Sequence, residues 1–155
     1  MIIPDINLLI YAYDDSSPFQ KKAGDWWKKC LTGSEPVGLP AVVLFGFVRV
    51  ATNARAFETP MSIGEANECV RDWFKQPAVQ TLLPHANHIE QTLSLLEKIG
   101  TAGNLVTDAQ IAAIAIEHDA IVHTIDADFI RFEGLRWLNP ITGAGSRTLR
   151  SQGRT

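Results

Sequence analysis

The stretch Thr107–Asp128, TDAQIAAIAIEHDAIVHTIDAD, decides the fold class. Thr107 followed by Gln110 has the form of a capping box. This predicts a helix that carries Asp108 in its first turn and runs through Ile111, Ile114 and Ala115 to about His118. Ala120 to Ile125 is apolar and β-branched, the composition of a buried strand. Asp126 follows that strand directly and Asp128 comes two residues later, so acids are expected at a helix mouth and at a strand tip.

Moving outward, Met1 to Ile3 reads as a strand that Pro4 ends, since proline cannot donate to the ladder. Asp5 then stands at its tip, before a helix over Asn7 to Tyr13. In Phe19 to Cys30 the residues Phe19, Ala23, Trp26, Trp27 and Cys30 share one helical face, with Lys21, Lys22, Lys28 and Lys29 on the solvated one. Val37 to Leu39 is a short strand, and Ala41 to Ala51 a buried helix despite Gly46. Ser62 with Glu65 caps a helix whose apolar face is Ile63, Ala66, Val70, Trp73 and Phe74, ending at Pro77. Val79 to Leu83 is a strand, and Asn87 with Glu90 caps a helix facing the core through Ile89, Leu93, Leu96 and Ile99, stopped by Gly100. The tryptophans Trp26, Trp27 and Trp73 are expected to pack in the core or a dimer contact rather than to stack on bases, and the four histidines lack zinc-type spacing. Strands separated by helices of this length give an α/β fold, a single domain whose mostly parallel central sheet carries helices on both faces.

At 155 residues and 46% hydrophobic, the chain is long enough to bury one core without a disulfide, and Cys30 and Cys69 form no metal motif. The start, Met1-Ile2-Ile3-Pro4-Asp5, lacks a basic leader, and no run approaches a membrane span, so a cytoplasmic location is expected. Fourteen basic against seventeen acidic residues leave a net charge of −3, which excludes a general polycation that coats nucleic acid. The domain is expected to cover residues 1–141. Residues 142–155, rich in Gly and Ser with Arg147, Arg150 and Arg154, are expected to form a disordered tail.

Open parallel α/β sheets collect ligands beyond the carboxyl ends of their strands, where Asp5, Asp108, Asp126 and Asp128 are all placed. Each acid alone reads as a cap or a turn residue, and only their joint placement points to chemistry. Carboxylates crowded together take up protons or a divalent cation, and oxygen-only ligands suit Mg²⁺ or Mn²⁺. A cation so held activates water and offsets charge on a phosphodiester.

Asp5-Ile6-Asn7 after the first strand, Thr107-Asp108-Ala109 opening a late helix, and Thr124-Ile125-Asp126-Ala127-Asp128-Phe129 after the next strand together resemble the PIN domain. Phe45 to Phe57, Gly103 to Ala109 and Phe132 to Pro140 look like a mycobacterial subgroup of the VapC toxins, and the resemblance runs from Met1 to about Ile141. It implies a Mg²⁺-dependent endoribonuclease, with Mn²⁺ as a possible substitute, that leaves a 3′-hydroxyl and a 5′-phosphate. It also implies a homodimer and a VapB-type antitoxin partner. Carried over by position, Asp5, Asp108 and Asp126 match the catalytic, metal-binding acids and Asp128 an accessory acid. Asn7 and Thr124 match supporting positions.

One departure bears on activity. The family's usual Glu-x-x-Arg reads here Gly46-Phe47-Val48-Arg49, so the expected second acid is missing. Metal binding is then expected to weaken or to fall from two ions to one, unless Asp128, Asp14 or Asp15 compensates. Arg49 is a candidate phosphate or partner contact. The alternative function is a catalytically weak PIN-like module that binds RNA or antitoxin. A phospho-acceptor receiver domain would also place acids at strand tips, but no lysine occurs beyond Lys98.

Overall fold

The computed structural model describes residues 1–146. Five strands form one fully parallel sheet: β1 (Ile2–Pro4), β2 (Val37–Pro40), β3 (Val79–Leu82), β4 (Ile121–His123) and β5 (Arg136–Leu138), in the spatial order β3-β2-β1-β4-β5. From β1 the chain winds outward through β2 to β3, then returns to lay β4 against the other side of β1. The reversal opens a crevice between the carboxyl ends of β1 and β4, the place where this architecture binds ligands. Asp5 follows β1 and Thr124 to Asp126 follow β4, so two of the sequence's acids flank that crevice.

Six α-helices connect the strands: α1 (Ile6–Tyr13), α2 (Gln20–Thr32), α3 (Ala41–Ala51), α4 (Ile63–Phe74), α5 (His88–Ile99) and α6 (Leu105–Glu117). All four residues of β2 are buried, so both faces of the sheet are covered there. Of the face expected on α2, Ala23, Trp26, Trp27 and Cys30 are buried, whereas Phe19 precedes the helix and is exposed; α3, expected to be buried, leaves Phe45 on the surface and buries Val43, Gly46, Phe47 and Ala51. The four lysines of α2 are exposed. Ser62 and Glu65 close the capping box of α4 in both directions, and Gly100 ends α5 in the left-handed region at φ 82°. Among the described residues no helix is long and apolar enough to cross a membrane.

Several local expectations fail. The helix expected to open at Thr107 starts at Leu105, with Asn104 before it and no side-chain cap, because Ala102 and Gly103 already accept the backbone bonds of a tight turn. Asn87 stands at the N-cap of α5 without capping through its side chain. That helix buries Thr92 and Leu95 rather than Ile89 and Leu93, which are 74% and 50% exposed. On α4, Ile63 and Phe74 are likewise exposed, leaving Ala66 and Trp73 as its buried anchors.

Strand β5 and the 3-10 turn Ala127–Arg131 went unread in the sequence. Residues 142–146, expected in a disordered tail, fold back along β5: Gly145 bridges Leu138 antiparallel, and Trp137 N–H donates to Ser146 Oγ at 3.0 Å. Glycine is needed for this approach, since a Cβ at 145 would stand 2.9 Å from the Trp137 carbonyl oxygen. Arg147, Arg150 and Arg154 lie outside the described residues.

Candidate active site

Asp5 leaves β1 through a backbone bond from its N–H to the His123 carbonyl at 2.9 Å, which ties the tips of β1 and β4 together. Asp5 is buried, at 2% exposure. Thr124 Oγ1 donates to Asp5 Oδ2 at 3.0 Å and accepts from the Asp126 N–H at 2.9 Å. One buried hydroxyl therefore links the two acids across the crevice. Asp126 Oδ1 in turn accepts from the Asp128 N–H at 2.9 Å, the cap of the 3-10 turn. The bland reading of Asp126 as a turn residue is thus correct for one of its oxygens and silent about the other.

Asp108, half-buried in the first turn of α6, comes from the opposite side. Asp108, Asp126 and Asp128 each offer an oxygen within 4.8 Å of the others. Asp5 stands outside that trio but near enough for its charge to act on Asp108. Burial, then the carboxylates of Asp5, Asp126 and Asp128, push Asp108 up to about 7. Burial likewise pushes Asp5 up to about 6, opposed by the Thr124 hydrogen bond and reinforced by Asp126.

Asp5, Asn7, Arg49, Asn104, Thr107 and Asp108 line a cleft of about 300 Å³. Asn7 is exposed at the rim, and among the described residues its side chain makes no hydrogen bond to Asp5. Asp14 and Asp15 line a different cleft, with Tyr13 and Glu58, and do not reach this one. Thr107 and Asn104 join the expected residues in this cleft. Their signal was the polar pair one and four residues before Asp108, masked by reading Thr107 as a cap. Ile6 also escaped notice: it packs into the space above Gly46, so that a Cβ at 46 would overlap the Ile6 Cδ1 methyl.

The donor set is all oxygen and crowded, and burial together with neighbouring carboxylates makes two members, Asp5 and Asp108, resist carrying their charge. Those are the properties that a hard divalent cation satisfies, so the residues present fit Mg²⁺ or Mn²⁺.

The same crowding sets a pH dependence of stability without metal. Carboxyls raised in the folded state above the usual 3.8 bind protons more tightly folded than unfolded, so stability increases as pH falls from about 7 toward 4. His123 works the other way. Buried and accepting from Trp26 Nε1 at 3.0 Å, it is pushed down to about 4, so it costs stability as pH falls through 6.5. Two rising contributions against one falling leave the melting temperature in chelator higher at pH 5.5 than at pH 8. A flat or inverted profile by differential scanning fluorimetry would count against this account of the cluster.

Residues 2–135 match the model of the PIN domain family. Ribonuclease VapC33 of Mycobacterium tuberculosis is 45% identical over 141 residues, 91% of this chain and 99% of the relative. Ribonuclease VapC37 of the same species is 39% identical over 140 residues, 90% and 97% of the two chains. Among solved structures, M. tuberculosis VapC20, described as a sarcin-ricin loop cleaving toxin, superposes with a TM-score of 0.65 at 14% identity, covering 84% of this chain and 93% of that one. VapBC-1 of nontypeable Haemophilus influenzae gives a TM-score of 0.62 at 18% identity, covering 90% and 98%. The structures attest the shared fold, and the sequence matches carry the kinship: this chain belongs to the PIN-domain family, among its VapC ribonucleases.

Proposed function

We propose that this protein is a toxin of the VapC type, an endoribonuclease that hydrolyses RNA phosphodiester bonds at the aspartate cleft with a divalent cation, Mg²⁺ or Mn²⁺. The observation that carries the reading is the convergence of Asp5, Asp108, Asp126 and Asp128 from three separate chain segments on the crevice between β1 and β4. Its support in kinship is the ribonuclease activity named for relatives up to 45% identical. In the same reading a VapB-type antitoxin neutralises the chain, as the VapBC assemblies of similar fold suggest, and the chain pairs with a second copy. Leu83, Ile89 and Leu93, all exposed, supply apolar surface for such contacts.

Asp108, Asp126 and Asp128 would hold the cation, with Asp5 behind them. The bound cation would supply activated water and charge stabilisation at the scissile phosphate. The protein's part is preorganisation. Thr124 fixes Asp5 through Oδ2 and anchors the backbone of Asp126, so neither carboxylate has to be ordered when substrate arrives. Arg49, exposed on the cleft wall, presents a charged fork suited to a phosphate.

Gly46 in place of an acid favours a second reading, a weakly cutting module that binds RNA or antitoxin. Total cellular RNA incubated with the purified full chain separates the two. Discrete products that need Mg²⁺ or Mn²⁺, vanish in chelator and are absent with Asp126→Asn are expected of the nuclease. Intact RNA, from folded protein freed of any antitoxin, supports the binding module instead.

A further inference from the structure

We propose that the acidic cleft takes one divalent cation rather than two, and that the Arg49 guanidinium supplies the second positive charge against the substrate's phosphate. The proposal rests on the metal-dependent reading above and deepens it. Its ground is the lopsided distribution of charge. The four aspartates come from the tips of β1 and β4 and the mouth of α6. The facing wall, built by α3, adjoins through a cleft of about 440 Å³ in which Phe45, Gly46, Arg49, Thr107 and Gln110 take part, with no carboxylate among its lining residues.

Arg49 and Thr107 line both clefts, so the two form one continuous groove with acids at one end and a guanidinium at the side. Among the described residues Arg49 makes no ion pair, although Asp5 and Asp108 share its cleft. A second cation on the α3 wall would stand beside this fixed charge with no carboxylate to hold it, and like charges at such range repel.

Nor is the wall merely short of an acid. The Ile6 side chain, buried and directly following Asp5, fills the space over Gly46, with its Cγ1 only 2.9 Å from where a Cβ would be. A side chain at 46 would first have to displace the Ile6 terminal methyl. Arg49, one turn along the same helix, is the charged residue that α3 contributes to the lining of both clefts. A guanidinium stays ionised at any working pH and binds a phosphate through two parallel N–H donors.

The test counts ions. Metal-free full-length chain is titrated with Mn²⁺, and free Mn²⁺ is followed by electron paramagnetic resonance, for the wild type, Asp126→Asn and Arg49→Gln. One ion per chain is expected for the wild type and for Arg49→Gln, with at least tenfold weaker binding for Asp126→Asn. Two ions per wild-type chain overturn the single-cation site while leaving a metal-dependent nuclease in place; none overturns the metal-dependent reading itself. For Arg49, binding of a mixed-sequence RNA 20-mer is compared between Asp126→Asn and Asp126→Asn/Arg49→Gln, neither of which is expected to consume it. Loss of one phosphate contact makes the slope of log affinity against log salt shallower by about 0.7. An unchanged slope overturns the role given to Arg49.

Discussion

Replacing Asp5 by Asn is expected to remove RNA cleavage and, without metal, to make the protein harder to melt. The amide matches the carboxylate in shape and still accepts from Thr124 Oγ1, so the bond between the tips of β1 and β4 survives. What disappears is a buried charge. A carboxyl held near 6 rather than 3.8 corresponds to about 3 kcal/mol of unfavourable ionisation in the folded protein at alkaline pH. For a chain of this length that is a rise of roughly 5 °C or more at pH 8 in chelator. The rise should fade as pH falls toward 5, where the wild-type carboxyl is protonated anyway. Cleavage should drop by on the order of 10²–10³, the scale of losing one preorganised electrostatic group from such a site. Full activity in Asp5→Asn would remove this residue from the machinery. Loss of activity together with a lower melting temperature would instead make it a structural residue. Gain of stability on loss of function is the mark of a group kept for chemistry at the fold's expense.

The second large effect lies away from the cleft, in the aromatic cluster that joins four helices. Trp73 of α4 is 1% exposed, with ring centroids 4.8 Å from Phe47 of α3, 5.3 Å from Trp27 of α2 and 6.1 Å from Tyr13 of α1. Its Nε1 donates to Tyr13 Oη at 2.8 Å. Trp73→Ala therefore opens a cavity and leaves the Tyr13 hydroxyl without this donor, at a cost of about 3–5 kcal/mol. In urea the unfolding midpoint should fall by roughly 2 M. Trp73→Phe keeps a ring in the cluster and loses mainly the hydrogen bond, so it should cost about 1–2 kcal/mol. Equal losses for the two variants would mean that the hydrogen bond, rather than the packing, holds these helices together.

How far the sequence could be read depended on whether the deciding interaction was local. Strands β1, β2 and β4 announced themselves because each is short, largely apolar and bounded by Pro or an acid, and β3, though Gln80 and Thr81 are polar, is set off by Pro77 and Pro84; the acids at the tips were legible for the same reason. Strand β5 did not: it is three half-buried residues at a sheet edge, and Arg136-Trp137-Leu138 carries no alternation to read. The face of α5 was misjudged because helical periodicity marks several stripes when Leu and Ile recur so often. Packing against α6 chooses the one through Thr92 and Leu95. In the cleft, the identities of the acids were legible but their linkage was not. Thr124 was placed only as a supporting residue, whereas its hydroxyl bonds Asp5, 119 positions away in the chain. The fit of Ile6 over Gly46 likewise depends on two positions 40 apart, which no local pattern reveals.

The fold-back of residues 142–146 along β5 changes what one edge of the sheet offers to other chains. A parallel sheet ends in strands with unpaired backbone groups, and a bare edge offers a template to another chain. Here the protein covers part of one edge with its own backbone. The Ser146 N–H donates to the Trp137 carbonyl at 2.9 Å, and the serine hydroxyl accepts from the Trp137 N–H. Shortening the chain at Ile141, where the family likeness fades, would strip that cover and leave a tryptophan-bearing edge open to self-association. The few residues that look most dispensable for catalysis are therefore the ones whose loss would bare the β5 edge.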